Sequence, residues 1–322
     1  MSFLDDQIKA MRYHHPEYIP VMVSLLPATW MKYRESLDEV VKKHPILFGD
    51  NPQVVRDYDA VGGTYVEGHH TDIWGCVWSN VATGMEAIVT KHPVPTREAV
   101  HALKEPESVT GRIPHGFMYL RLADLRGFDE IMVDFAEEPE ELRMLIDIVL
   151  EHNMKELEFL LKGYNYPFIS FGDDLGMQTS LPMSPKTWRK YLKPCYMKLY
   201  QRCHEAGLDV FMHTDGHIHE IIPDLIECGV NVINPQIRAN GLQNLRAVCK
   251  GKVCVCLDLD RQMFPFCKPE EIDGHVREAI EALGDPSGGL WLIAECGPDV
   301  PIANIDAICT ALEKYRGYFL GE

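Results

Sequence analysis

The segment Leu208-Asp209-Val210-Phe211-Met212-His213-Thr214-Asp215-Gly216-His217-Ile218 decides how the rest of the chain is read. A short apolar run over 208–212 delivers a His, an Asp and a Gly to its far end, and a helical pattern then runs over 218–228. Polar residues gathered where a buried strand stops are where α/β enzymes place their chemistry, because the scaffold fixes them rigidly beside an open pocket. The arrangement recurs at Leu292-Ile293-Ala294-Glu295-Cys296-Gly297.

Outward from that segment the same rhythm continues. Strands are expected at 230–233, 252–257 and 289–294, alternating with helices at 242–249, 269–283 and 302–318. Upstream, strands are expected at 19–25, 64–68, 116–122 and 167–171. A long amphipathic helix fits 139–162, where Leu142, Leu145, Ile146, Val149 and Leu150 recur at helical spacing. Ser184-Pro185 supplies an N-cap and a first-turn proline for a helix running towards Gly207. The later strands are almost continuously apolar, as strands covered on both faces should be. Strand–helix repetition predicts a parallel sheet, and about eight units favour a single closed (β/α)8 TIM barrel over 1–322 with an N-terminal helical extension. An open doubly wound sheet is the alternative. No GxGxxG follows any strand, which disfavours a dinucleotide fold.

A net charge of -17 argues against nucleic acid as a partner, since phosphate binding needs a basic surface. No apolar run approaches the ~20 residues that span a bilayer. Residues 1–10 are polar and acidic, unlike a secretory leader. The ten cysteines are scattered without a CxxC pair, which suits reduced thiols in a cytoplasm. The oligomeric state is left open, with a homodimer among the options.

In a parallel barrel, strand ends of one polarity form one rim. Those ends carry Arg121, Asp173, Asp174, His213, Asp215, Asn234, Gln236, Cys256, Asp258, Asp260, Glu295 and Cys296. Zinc takes imidazole, thiolate and carboxylate ligands, and a catalytic site keeps one position open. His213 and Cys296 are the leading metal ligands, with Asp215 or Cys256 completing the set. His213 and Asp215 are two apart on an extended segment, so they share a face. The competing reading makes His213 a hydrogen-bonded strand-end histidine and the Cys254–Cys256 pair small core residues. Asp173 and Asp174 are adjacent, so one faces the pocket and the other caps the following turn. The inward one serves as a general acid or orients a ligand histidine. Asp173, Asp174 and Glu295 are the catalytic candidates; Trp74, Arg121, Gln178, Asn234, Gln236 and Asp258 are the substrate-binding candidates. Trp74 reads equally as an aromatic wall or as loop packing. Asp260-Arg261 reads as an ion pair at the rim, and His217 and His219 as residues at a helix start.

At Asp72-Ile73-Trp74-Gly75, Asp173-Asp174-Leu175-Gly176, His213-Thr214-Asp215-Gly216, Asn234-Pro235 and Glu295-Cys296-Gly297 the chain resembles the uroporphyrinogen decarboxylase superfamily. The resemblance implies a single (β/α)8 barrel. It also implies one of two activities: porphyrinogen decarboxylation, or methyl transfer by zinc enzymes that work with corrinoid proteins. The second group includes methylcobalamin:coenzyme M enzymes and the methyltransferase components of O-demethylases. The decarboxylase branch grips substrate carboxylates with an arginine-rich N-terminal motif. Residues 20–33 here hold no arginine, and Arg34 follows just beyond. The coenzyme M branch uses His-x-Cys and a distant Cys as ligands. His213 and Cys296 match, while Asp215 stands where the middle Cys belongs. The expectation is therefore a zinc-dependent methyltransferase that takes a methyl group from a small ether or amine and passes it to a corrinoid partner protein. The alternative is a metal-free uroporphyrinogen-type decarboxylase.

Overall fold

From residue 139 onward, helices and strands alternate as the hydrophobic rhythm demands. The computed structural model describes residues 2–49 and 56–320. Its strands are β1 (Val21–Leu25), β2 (Gly68–Thr71), β3 (Val77–Asn80), β4 (Ile88–Lys91), β5 (Phe168–Gly172), β6 (Asp209–Thr214), β7 (Val232–Pro235), β8 (Cys254–Asp258) and β9 (Leu290–Cys296). The fold is α/β, and the chain divides into two compact units.

One unit comprises 68–81 and 87–233. In it β5 and β6 run parallel, with Phe168 opposite Asp209 and Gly172 opposite His213. Val210, Met212 and Thr214 of β6 are buried, while the alternate residues Phe211 and His213 are only partly covered. Helix Glu140–Leu161 lays Leu142, Leu145, Ile146, Val149 and Leu157 into the core. Ser184 caps helix Pro185–Tyr191 by accepting the Thr187 amide at 3.1 Å. Phe117, Phe171, Tyr196 and Tyr200 form a buried aromatic cluster with ring centroids 5.0–6.0 Å apart.

The other unit comprises 1–67, 82–86 and 234–322. Here β9 lies between β1 and β8, parallel to both, with Leu25 opposite Cys296 and Asp258 opposite Ile293. Every residue of β8 is buried. Helices Pro269–Leu283 and Ile302–Tyr315 cover this unit's strands with Ile272, Val276, Ile280, Ile305, Ile308 and Leu312. The N-terminal extension is helix Phe3–Met11, capped by Ser2.

Two expected strands are not strands. Residues 116–122 enter helix Tyr119–Arg126, because their four-residue apolar run fits a buried helix start as well as a strand. Residues 64–68 hold a 3₁₀ turn, Gly63–Tyr65, and only the first residue of β2. In addition, β2, β3 and β4 form a small antiparallel sheet that the strand–helix rhythm does not announce. Of the nine strands among the described residues, six rather than eight are of the parallel kind. No helix among the described residues is long and apolar enough to cross a membrane. The ten cysteines are unpaired thiols.

Candidate functional site

The register of β5 against β6 sets the site. Gly172 faces His213, so Asp173 and Asp174 leave β5 alongside the turn His213-Thr214-Asp215-Gly216. The two turns are laced by backbone. Asp173 N donates to His213 O at 3.1 Å, and Gly176 N to Asp215 O at 3.2 Å. Leu175 N donates to Thr214 Oγ1 at 3.0 Å. Asp215 N donates to Asp174 Oδ1 at 3.0 Å. The chains touch at Gly176 and Gly216. A Cβ on Gly176 would stand 2.3 Å from His217 N, and one on Gly216 would stand 2.2 Å from Gly176 O.

The adjacent aspartates diverge, as extended backbone requires. Asp173 is fully buried and accepts the amides of Met118 (3.2 Å), Tyr119 (2.5 Å) and Leu120 (2.9 Å) and the Tyr196 hydroxyl (2.5 Å). Burial pushes its carboxyl up to about 6, against the pull of Tyr196 and the amides. The sequence suggests a cap for the turn that follows it. Instead it holds the start of helix Tyr119–Arg126, earlier in sequence, because free helix amides there offer a complementary partner.

Asp174 turns the other way. Its Oδ2 lies 3.1 Å from His115 Nε2, and its Oδ1 lies 3.8 Å from His213 Nε2. Asp215 Oδ1 lies 3.4 Å from the same His213 nitrogen. Burial pulls the Asp174 carboxyl up, yet the His115 hydrogen bond and the neighbouring imidazoles prevail and hold it below its ordinary value. The same hydrogen bond raises His115 against its own burial. His115, Asp174 and His213 each offer one ligand atom, and these atoms lie within 4.8 Å of one another. Two imidazoles and a carboxylate, partly open to solvent, are a set of donor atoms that could hold a metal ion such as zinc. His115 is absent from the sequence-based set. Its one local signal is confinement between Pro114 and Gly116, and no spacing rule links it to His213.

The remaining candidates in this unit are engaged otherwise. Arg121 is buried, 2.7 Å from Asp72 Oδ2 and 3.8 Å from Asp124 Oδ2, so it ties its own helix to the loop that carries Asp72. Asp72 also accepts from the amides of Trp74 (3.0 Å) and Cys76 (2.9 Å) and from Trp78 Nε1 (3.1 Å). Trp74 is buried edge-on against His152 at 5.0 Å, which is loop packing and leaves it no open face as a wall. Gln178 is exposed just past the Asp174 turn. His217 and His219 precede helix Ile222–Cys228 and stand 4.5 Å apart, outside the helix start expected for them.

In the other unit, Cys256 and Cys296 are both fully buried, and burial raises both thiols well above their ordinary value. Asn234 Nδ2 donates to Cys256 O at 2.6 Å, and Gln236 bridges to Asp258, which is buried. Arg261 donates to Glu295 at 2.5 Å, while Asp260 pairs with Arg238 at 2.8 Å. Asp260 and Arg261 thus each pair with a partner from a neighbouring segment.

Asp124 yields a pH prediction. Burial pushes its carboxyl up to about 6, with Arg121 opposing and Asp72 adding. A folded-state value above the unfolded 3.8 means the native state binds this proton more tightly. The stability it contributes is full below 3.8 and is lost as pH rises through about 6. Asp124→Asn is expected to flatten that stretch of the profile. Urea midpoints from about pH 4 to 7 check this, and parallel curves for the two proteins would overturn it.

The family described as Uroporphyrinogen decarboxylase (URO-D) matches residues 122–315, more than half the chain. The match includes Asp174 and His213; His115 lies ahead of it. No curated protein matches. Among solved structures, the chain is similar to Xanthomonas albilineans dihydropteroate synthase with 4-aminobenzoic acid. That likeness is 14% identical, covers 46% of this chain and 52% of that one, and has a TM-score of 0.31. It is also similar to Yersinia pestis DHPS with a pterine-sulfa conjugate, at 12% identity over 52% of this chain and 88% of that one, with a TM-score of 0.29. The chain spans about half the length of the first of these. At those TM-scores neither likeness bears on fold or activity.

Proposed function

Because the chain belongs to the uroporphyrinogen decarboxylase family, we propose that it is a zinc-dependent methyltransferase that moves a methyl group from a small ether or amine to a corrinoid protein. The observation that carries this reading is the cluster of His115, Asp174 and His213. These three side chains would hold the metal, and Asp215 Oδ1 lies 3.4 Å from the His213 nitrogen. Zinc supplies a Lewis acid for the departing oxygen or nitrogen. The chain's own part is to keep the donors in place before substrate arrives. Asp174 does so through the Asp215 amide and the His115 ring. Cys256 and Cys296 are fully buried and are not among the residues of this cluster. Arg34, the arginine nearest the decarboxylase clamp region, is paired with Asp59 at 2.8 Å. The scaffold of this reading is the closed eight-stranded barrel that the family implies. The unpaired thiols suit a reducing, cytoplasmic setting.

In this reading the cobalt is carried by a corrinoid partner protein. Purified, zinc-loaded chain is expected to show no methyl turnover alone and to gain it with a reduced corrinoid protein. Methoxylated aromatics and methylamines are assayed with and without that partner, following cobalt absorbance. Decarboxylation of a porphyrinogen by the chain alone would overturn the reading.

A further inference from the structure

We infer that Glu156 is a positioning residue for the metal ligand His115, an inference that rests on reading His115, Asp174 and His213 as a metal centre. Glu156 projects from helix Glu140–Leu161 and is 2% exposed. Its carboxylate accepts three consecutive backbone amides: Thr110 at 2.9 Å, Gly111 at 2.5 Å and Arg112 at 3.0 Å. Successive amides converging on one carboxylate make an anion nest, here filled by the protein's own side chain. Three residues later the chain reaches His115. Immediately after it, Gly116 N donates to Gly172 O at 2.7 Å, and Asp173 then holds the amides of 118–120.

His115 therefore sits on a strap pinned at both ends. One pin is Glu156 and the other is the β5 terminus. Three residues of chain span at most ~10 Å, so the pin at Arg112 limits how far the imidazole can stray while it holds. Glu156 touches neither the donor atoms nor the open position. Its contribution is to fix where His115 Nε2 stands, the task that outer partners of metal ligands perform in general. His152 Nε2 lies 3.6 Å from Glu156 Oε1, and burial lowers the pKa of that imidazole; Lys155, next to Glu156 in sequence, is paired with Glu105. Neither takes over the three amides.

The test is zinc affinity by competition with a chromophoric chelator, with the visible spectrum of cobalt-substituted protein as a geometric readout. Glu156→Gln is expected to bind zinc about 10- to 100-fold more weakly and to alter the cobalt spectrum. Gly111→Ala disturbs the strap from the loop side, since its Cβ would meet the Phe159 ring at 2.9 Å, and is expected to act in the same direction. Glu158→Gln, an exposed neighbour paired with Arg202, is expected to change nothing. In a His115→Ala background, Glu156→Gln is expected to have no further effect, because the residue acts through that ligand. Unchanged affinity in both strap variants would overturn this inference alone. So would an equal loss from Glu156→Gln with and without His115. A wild-type chain that binds no zinc would overturn the metal centre and this inference together.

Discussion

His213→Ala is expected to lower zinc affinity by more than about 100-fold, beyond the 10- to 100-fold that loss of an outer partner brings. The reason is its position. His213 Nε2 lies 3.8 Å from Asp174 Oδ1 and 3.4 Å from Asp215 Oδ1, so both carboxylates converge on the nitrogen that would be lost. His115→Ala is expected to follow closely, whereas Cys296→Ser and Cys256→Ser are expected to keep their zinc. Metal analysis after equilibrium dialysis, with circular dichroism to confirm the fold, checks all four. Full zinc in His115→Ala with loss in Cys296→Ser would show that the thiol, and not the second imidazole, holds the metal.

Asp173→Ala is expected to cost about 3–5 kcal/mol, a large share of the roughly 5–15 kcal/mol that holds a domain together. Three amides and the Tyr196 hydroxyl converge on this one buried carboxylate. Each buried donor left without an acceptor costs about 1–3 kcal/mol, and water entering the vacated space recovers part of the sum. Asp173→Asn keeps one acceptor oxygen but turns an NH₂ group towards donors, so an intermediate loss is expected. Urea denaturation measures both. A loss under about 1 kcal/mol for the alanine variant would mean that solvent replaces the carboxylate and that the helix start does not depend on it.

The parts of the fold legible in the sequence are those governed by local pattern. Helix 269–283 runs between the boundaries expected, since Pro269 opens it and its apolar stripe stops at Leu283. The turn after β6 is legible because an apolar run that ends in His-Thr-Asp-Gly fits little besides a buried strand giving way to a tight turn. The segment 116–122 is not legible, and His115 is lost with it. Its helix begins where the Asp173 carboxylate meets the amides of 118–120, a cap supplied from more than fifty residues away. No window of neighbouring residues contains that information. The same holds for Arg121, whose apparent place at a strand end becomes a buried pair with Asp72. The antiparallel strands β2 to β4 are four residues each and mostly exposed or half-exposed, so they leave almost no hydrophobic signature.

The contact between Gly176 and Gly216 bears on how other sequences with this pocket could be recognised. A histidine or an aspartate at a strand end is common and discriminates poorly. Two glycines that exclude a side chain from each other's backbone are rarer. Substituting one cannot be offset by substituting the other, because each Cβ would collide with main chain and not with a side chain that could be trimmed. Asp-x-Gly after one strand and Asp-Gly after the next therefore form a two-part signature. A homologue that departs from either half has rebuilt the whole turn pair, and with it the ground on which Asp174 and His213 stand.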